Sequence, residues 1–245
     1  MIEPIAFTLF GFPVHWYGLS YVFGFLFSYF FILHFSKEFG VKEQQIEDIF
    51  FYMMVFSVIG GRFFYILFYN PLFYISNPLQ VFAVWNGGMS IHGGFLGAII
   101  ALYYSSKKYK IPFLKLTDLF VLPTGFALAF GRFANFINQE LVGIATNSNL
   151  GIVFPLYDDV KRYPYQLLAS FKNLVIFQIL LYFYFFKKMK TGTLTALFLI
   201  LYNGLRFIID FLRVPTTDLG LISLGQLLNL FFMFFGFYLL KKIKE

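Results

Sequence analysis

Long runs of apolar residues, separated by short polar connections, dominate the sequence. A helix that spans a bilayer needs about 20 predominantly apolar residues. Seven runs are of this kind, and they cover residues 17–35, 47–69, 91–106, 117–137, 166–186, 193–212 and 222–240. The pattern predicts an all-α integral membrane protein of about seven transmembrane helices.

The basic residues in the connections predict the orientation, because cytoplasmic loops carry an excess of Lys and Arg. Twelve lysines lie on one side: Lys37, Lys42, Lys107, Lys108, Lys110, Lys115, Lys187, Lys188, Lys190, Lys241, Lys242 and Lys244. The other side has Lys161, Arg162 and Arg213. We therefore expect the N-terminus outside and the C-terminus in the cytoplasm, which requires an odd number of spans.

The two longest connections are predicted to lie on the outer side. The loop 138–165 contains several Asn, Asp, Gly and Pro residues, which are typical of irregular structure. The segment 70–90 is rich in aromatic residues and is a candidate for lying along the membrane interface. No internal repeat or linker is evident, so the sequence predicts a single polytopic membrane domain over residues 1–245.

Composition supports this class and excludes others. Hydrophobic residues make up 59% of the chain and charged residues only 13%, too few to cover a soluble domain of this size. The net charge of +7 comes from lysine clusters between apolar runs, without interleaved stacking aromatics, so no nucleic acid partner is expected. The absence of cysteine excludes a thiolate metal site and covalent catalysis by a cysteine of this chain.

Unusual polar residues gather at the predicted outer ends of four segments. An ionised side chain inside a span costs about 2.5–3.5 kcal/mol on insertion scales, so each one calls for a partner or a function. They are Tyr17 and His92, which begin inward-running segments, and Arg132, Asn135, Asn138, Glu140, Arg206, Asp210 and Arg213, which finish outward-running ones.

Two arginines on separate segments predict a site for an anion. Arg206 lies about six residues inside the end of its segment, roughly 9 Å at 1.5 Å per residue, which is near the depth of lipid phosphates. Asp210 and Arg213 share its helical face within about 60°. Together with Arg132, these residues predict a cationic cavity, and the guanidinium fork suits phosphate oxygens.

Most of these residues also have a purely structural interpretation. Arg62 would be a buried ion-pair member or hydrogen-bond donor, Arg213 an interfacial side chain, and Tyr17 part of an aromatic belt. Asp210 would only neutralise the arginine four residues earlier, and Glu140 would be an ordinary loop carboxylate.

Glycines surround His92. Gly87-Gly88 precede it, Gly93-Gly94 follow it, and Gly97 lies one helical turn further on. Glycine allows close approach of a backbone or a ligand. For Gly97 this favours helix packing, whereas the pairs around the histidine favour a shaped site over a satisfied interior histidine.

Four blocks of the sequence resemble the motifs of one known family. Residues 131–143, GRFANFINQELVG, match the long signature GRxxNFxNxExxG. Residues 16–18 (WYG) open the first helix, and residues 87–94 (GGMSIHGG) resemble the motif GGMSxHGG. Tyr202, Arg206, Asp210 and Arg213 resemble the motif YGxxRxxxExxR. With these blocks, the sequence resembles the prolipoprotein diacylglyceryl transferase family.

The resemblance implies a transfer reaction. Family members move the diacylglyceryl group of phosphatidylglycerol to the thiol of a lipobox cysteine, forming a thioether and releasing glycerol phosphate, with no metal or cofactor. The implied partners are phosphatidylglycerol or a related phospholipid, lipobox-containing preprolipoproteins and the lipid bilayer. The implied location is the cell (plasma or inner) membrane, with the active site toward the outer leaflet.

The resemblance also implies roles for individual residues. Arg132 would hold the phosphate, Arg206 would act at the reacting end, and His92 would either be the base or orient the head group. The other substrate-binding residues would be Tyr17, Asn135, Asn138, Glu140, Gly143, Tyr202, Asp210 and Arg213.

Two departures from the family leave alternatives open. Asp210 replaces the usual Glu, and the family's HPxQLYE block reads YPYQLLA at residues 163–169, with Leu168-Ala169 in place of the aromatic residue and the acid. The donor could therefore be a different glycerophospholipid. A small transporter, or a lipid-binding protein without catalysis, are alternatives of other classes.

Overall fold

A computed structural model describes residues 3–214 and 222–245. These residues form two compact units, one within Met1–Ile32 and Phe120–Glu245 and the other Leu33–Leu119. The helices are α1 (Trp16–Ser36), α2 (Glu43–Tyr69), α3 (Pro71–Ser76), α4 (Ile91–Tyr109), α5 (Phe113–Ile137), α6 (Tyr165–Phe186), α7 (Thr193–Ile209) and α8 (Leu224–Lys244).

The helical membrane class is confirmed. Each of the seven predicted segments contains a helix, and six helices in the described residues are long and apolar enough to cross a membrane: α1, α2, α5, α6, α7 with its short 3₁₀ extension, and α8. The helix of the third predicted segment, α4, is not among them, since its histidine and its two lysines lower its mean hydropathy most. The orientation of the termini stays a prediction.

Aromatic stacking and small residues pack α1, α5 and α6 within the first unit. The ring of Phe27 stacks on Phe126 with centroids 3.8 Å apart. A Cβ added at Gly24 would lie 3.4 Å from Ala127, so α1 and α5 approach closely there. Within lipid, the hydrophobic effect does not drive helices together, so close van der Waals packing of this kind stabilises a membrane bundle.

The helices α7 and α8 also pack closely at a small residue. A Cβ on Gly236 would lie 2.9 Å from Ile200, too close for a side chain.

The helix α8 begins with a capping box. The Ser223 hydroxyl accepts a hydrogen bond from Gln226 N, and the Gln226 side chain accepts one from Ser223 N. This reciprocal pair satisfies two backbone donors that a helix start leaves free.

Two small antiparallel hairpins were not predicted. The first pairs β1 (Ile5–Leu9) with β2 (Phe12–His15) through a turn in which Phe10 and Gly11 both have positive φ. Such turns match the natural twist of paired strands. The hairpin escaped prediction because it is apolar on both faces, so the sequence shows no alternation.

The second hairpin lies within the predicted outer loop 138–165. It pairs β3 (Ile152–Phe154) with β4 (Asp158–Arg162). Backbone bridges join Gly143 to Arg213 and Ala145 to Arg162, so the loop is tied to the chain that follows α7. The prediction of irregular structure was therefore only partly right.

Glycines join α2 and α4 in the second unit. A Cβ on Gly60 would clash with the Gly93 carbonyl, and a Cβ on Gly97 would clash with the Phe56 carbonyl. Gly97 therefore serves helix packing, and so does Gly93. A Cβ on Gly94 would meet only an ordinary contact, 3.5 Å from Ser57 O.

The predicted interfacial segment 70–90 consists of α3 and two short 3₁₀ turns, Pro78–Phe82 and Val84–Asn86. Its large apolar side chains are exposed, among them Leu72, Ile75, Leu79, Phe82 and Trp85. Its position at the membrane interface stays a prediction.

Candidate functional site

The end of α5 forms a polar turn around Glu140. The carboxylate accepts hydrogen bonds from Asn135 Nδ2 at 3.2 Å and from Asn138 Nδ2 at 3.3 Å. Gln139 and Leu141 adopt positive φ, so the chain reverses sharply on both sides of this acid. Glu140 is thus more than an ordinary loop carboxylate, since two asparagines of the signature hold it in place.

Arg132 lies one helical turn before Asn135 and is half-buried. Among the described residues, its guanidinium has no hydrogen-bond or ion-pair partner. A guanidinium on a spanning helix is costly without a counter-charge, so Arg132 is suited to hold an anion supplied by a ligand.

Arg206 belongs to a network on α7. Its Nε lies 3.4 Å from Asp210 Oδ2, and its Nη1 lies 3.4 Å from the Tyr202 hydroxyl. Asp210 also accepts hydrogen bonds from Tyr165 and from Asn229 Nδ2, the latter at 3.3 Å. Asp210 therefore connects α6, α7 and α8 and is not merely the counter-charge of one arginine.

Lys172 on α6 is a buried cation that the sequence interpretation missed. Its ammonium lies 3.9 Å from the centroid of the Tyr202 ring, and its residue is only 7% exposed. The hydroxyl of the same tyrosine lies 3.4 Å from Arg206 Nη1. We call Arg132, Lys172 and Arg206 the cationic cluster; it combines one residue from each of α5, α6 and α7.

Gly143 and Arg213 meet as paired backbone segments. Gly143 N donates to Tyr163 O at 3.1 Å, and a Cβ on Gly143 would clash with that carbonyl and with Leu212 O. The glycine is thus required for close backbone packing. The Arg213 guanidinium lies 5.9 Å from the Tyr165 ring centroid, and its buried Nε has no hydrogen-bond partner in the described residues.

Tyr17 lies beside a cavity at the start of α1. The cavity has a volume of about 580 Å³, and Tyr17, His15 and Asn138 contribute its polar lining. The Tyr17 hydroxyl lies 3.1 Å from that of Tyr21. Tyr17 therefore shares this cavity with Asn138 at the polar end of α5, which an aromatic belt alone would not require.

His92 lies in the second unit, as the second residue of α4, and is exposed. The preceding turn depends on Arg62, which is 5% exposed and lies 5.0 Å from the Tyr74 ring centroid. Arg62 donates hydrogen bonds to the carbonyls of Gln80, Val81, Ala83, Gly87 and Gly88. The structural interpretation of Arg62 as a buried donor is therefore the right one.

The described residues contain no group of three or more His, Asp or Glu side chains that could hold a metal ion. The polar side chains described above in the first unit carry guanidinium, ammonium, carboxylate and phenol groups. Such an arrangement can bind a phosphate and stabilise charge that develops on it.

Comparison with known proteins decides the family. The family model described as prolipoprotein diacylglyceryl transferase matches residues 4–241. The chain belongs to the prolipoprotein diacylglyceryl transferase family. A relative from Rickettsia bellii (strain OSU 85-389), named phosphatidylglycerol--prolipoprotein diacylglyceryl transferase, is 41% identical over 98% of this chain and 95% of its own length.

Two further relatives carry the same name. One from Ehrlichia canis (strain Jake) is 38% identical over 100% of this chain and 97% of its own length. One from Polynucleobacter necessarius subsp. necessarius (strain STIR1) is 39% identical over 99% of this chain and 96% of its own length. Membership of a family of transferases favours an enzyme over the transporter and the non-catalytic lipid-binding protein.

Within this transferase chain, the first unit brings together most of the predicted site residues. Asp210 contacts Tyr165 and Arg206, and Tyr202 contacts Arg206 and Lys172. Asn135 and Asn138 hold Glu140, and Arg132 lies one helical turn before Asn135. Lys172 could have been found, because it is a lone cation within an apolar run. Asn229 could not, because its contact with Asp210 joins residues of separate helices.

Proposed function

We propose that this chain transfers the diacylglyceryl group of phosphatidylglycerol to the thiol of a lipobox cysteine in prolipoproteins. Three relatives bear a name that states this donor and this acceptor. The observation that carries the proposal is that Arg132 on α5 has no hydrogen-bond or ion-pair partner among the described residues, while Arg206 on α7 is held by Asp210 and Tyr202. Guanidinium groups suit a phosphate, because their fork matches its oxygens.

The reaction exchanges one bond for another. The sulfur attacks the glycerol carbon that bears the phosphate, so a sulfur–carbon bond forms and the carbon–oxygen bond breaks. The oxygen leaves with the electron pair as part of glycerol phosphate. Arg132 would bind the phosphate, and Arg206 would stabilise the charge that develops on the leaving oxygen.

The thiol must lose its proton, because the thiolate is the nucleophile and a free cysteine has a pKa of about 8.5. Nearby positive charge favours the thiolate. By family resemblance, His92 would take the proton or orient the head group. In His92→Gln, recovery of activity at higher pH supports a base, and a uniform loss at all pH values supports an orienting role.

The remaining residues would shape the donor site. Asn135, Asn138 and Glu140 form a hydrogen-bonded set that can meet the glycerol hydroxyls, and Tyr17 lies at the adjoining cavity. Asp210 and Tyr202 fix the Arg206 side chain. Gly143 and Arg213 would support the donor site through their backbone pairing, which joins the loop after α5 to the chain that follows α7.

We place the active site toward the outer leaflet of the cell membrane, in a multi-pass protein. The support is the distribution of charge, with twelve lysines in the connections on the opposite side. Lipobox cysteines would reach the site from the outer side of the membrane. The lipid donor would enter the site laterally from the bilayer.

A reconstituted assay tests the proposal. The purified protein is embedded in lipid nanodiscs that contain phosphatidylglycerol, and a lipobox peptide is added. We expect the peptide to gain the mass of one diacylglyceryl group while glycerol phosphate is released. A peptide with serine in place of the cysteine is the control and should gain nothing. Absence of any mass gain with phosphatidylglycerol would contradict the proposed donor, and absence with every glycerophospholipid would contradict the enzyme itself.

A further inference from the structure

Lys172 is a charged residue that the proposed reaction does not yet use. It lies seven residues after the start of α6, about 10 Å along the helix axis at 1.5 Å per residue. A cation at such a position is expensive and calls for a partner. Within residues 3–214 and 222–245, no acceptor or carboxylate forms a hydrogen bond or ion pair with its ammonium.

The Lys172 ammonium is connected to Arg206 through one tyrosine. It lies 3.9 Å from the centroid of the Tyr202 ring, and the hydroxyl of that ring lies 3.4 Å from Arg206 Nη1. Phe198 stacks on the Tyr202 ring, with centroids 5.4 Å apart, and so helps to fix its position. The ammonium and the guanidinium thus contact the same tyrosine, one at its ring and the other at its hydroxyl.

The charges around Lys172 do not balance. Of the three basic residues in the cationic cluster, Arg206 has a carboxylate partner, since its Nε lies 3.4 Å from Asp210 Oδ2. Arg132 and Lys172 have no carboxylate partner among the described residues, so two basic side chains remain without a counter-charge. The ring contact contributes about 2 kcal/mol when desolvated, which does not neutralise them. A phosphate monoester carries a charge of about −1.5 to −2 at neutral pH and would match the excess.

We propose that Lys172 is a third phosphate-binding residue, which acts with Arg132 and Arg206 on the lipid donor and on the glycerol phosphate that leaves. This inference rests on the proposed function. When the carbon–oxygen bond breaks, the phosphodiester becomes a monoester and its oxygen takes the electron pair. The thiol proton passes to the base or to the phosphate. Lys172 offsets the negative charge that the phosphate gains.

Substitution of Lys172 by methionine tests this binding role. Methionine keeps an unbranched side chain of similar shape without the charge. For Lys172→Met, we expect the KM for phosphatidylglycerol to rise about tenfold or more, because a hydrogen bond to a charged group is lost. Inhibition by added glycerol phosphate should weaken by about tenfold or more for the same reason. Lys172→Arg, which keeps the charge, should stay within about threefold of the unsubstituted protein.

Lys187→Met is the matched control, because Lys187 caps the other end of the same helix and is exposed. It should leave the KM and the inhibition unchanged. If Lys172→Met folds and keeps both values, or loses only thermal stability, the inference is overturned. If the methionine variant does not fold, Lys172→Gln takes its place with the same expected results.

A direct binding measurement separates this inference from the proposed function. Calorimetry measures the affinity of the protein for glycerol phosphate and for inorganic phosphate, without any transfer. A loss of affinity in Lys172→Met, with retention in Lys187→Met, supports the phosphate site even if no peptide is lipidated. Equal affinity in both variants, or no binding by the unsubstituted protein, overturns it. A change in the KM for the lipid without a change in either affinity also overturns the role at the departing phosphate.

Discussion

The phenolic hydroxyl of Tyr165 donates a hydrogen bond to the carboxylate of Asp210, which joins the start of α6 to the end of α7. Both side chains lie in the interior of the first unit; Tyr165 is 1% exposed. The same carboxylate binds Arg206 and accepts from Asn229. One acid therefore links Arg206 to Tyr165 and Asn229, and its removal should affect function and stability together.

Asp210→Ala should reduce the rate of transfer by at least about tenfold, because Arg206 loses the carboxylate that orients it. It should also lower the free energy of unfolding by about 1–3 kcal/mol, since the buried Tyr165 hydroxyl loses its acceptor. Asp210→Glu keeps the carboxylate and should retain most activity. Transfer rates and thermal unfolding in detergent measure both effects. Equal losses in the two variants would show that the shape of Asp210 matters rather than its charge.

Gly143→Ala should destabilise the backbone pairing between the loop after α5 and the chain that follows α7. The new Cβ would clash with the carbonyls of Tyr163 and Leu212, which belong to backbone and cannot swing aside. We expect a loss of about 1–3 kcal/mol in the free energy of unfolding. Gly131→Ala is the control, because nothing lies within 4 Å of its Cβ and alanine favours a helix. A wild-type melting temperature for Gly143→Ala would contradict the account.

Gly97→Ala should separate α2 from α4 in the second unit. Its Cβ would clash with the carbonyl of Phe56. Gly94→Ala, one turn away on the same helix, would meet only an ordinary contact and should be neutral. Introduced cysteine pairs across α2 and α4, cross-linked in membranes, would report the change. Equal cross-linking in the two glycine variants would argue against close packing at Gly97.

The hairpin of β3 and β4 should respond to pH through Asp158. Arg162 binds this carboxylate, with Nε 3.0 and 3.1 Å from its two oxygens, and thereby holds the pKa of Asp158 below its ordinary value of 3.8. A lowered pKa means that the ion pair stabilises the hairpin above pH 3.8 and loses this effect as the pH falls through the lowered value. Pepsin cleavage of the hairpin, compared with Asp158→Asn between pH 5 and pH 2, measures this.

At pH 5 the unsubstituted hairpin should resist pepsin better than Asp158→Asn does, and the difference should disappear near the lower end of the range. A difference that does not depend on pH would mean that Asp158 acts through its shape. Because Asp158 and Arg162 lie near the surface, the effect should also weaken with added salt.

The helices and the two arginines could be predicted from the sequence for the same reason, because each depends on the free energy of placing a residue in lipid. A long apolar run is stable in the bilayer, and a charged residue within such a run is costly unless it binds a partner or a ligand. Arg132 and Arg206 follow from that rule. The same rule applies to Lys172, but this residue lies inside α6, away from the helix ends at which the other polar residues indicate a site.

Other features could not be predicted, because they depend on contacts between distant parts of the chain. The pairing of Gly143 with Arg213 and the contact of Asn229 with Asp210 leave no periodic signal. The hairpin of β1 and β2 shows no alternation of apolar and polar residues, since most of its residues on both faces are apolar. The role of Arg62 in holding the carbonyls of residues 80–88 likewise requires the folded turn.

The rate at which a lipobox peptide gains mass in phosphatidylglycerol nanodiscs tests the central claim most directly. Arg132→Ala and Arg206→Ala should each slow the transfer by about 100-fold or more, as expected for lost stabilisation of developing charge. Lys161→Ala removes an exposed cation from the same predicted face and should stay within about twofold of the unsubstituted protein. Arginine variants that fold and transfer at the unsubstituted rate would contradict the claim that these two side chains hold the phosphate.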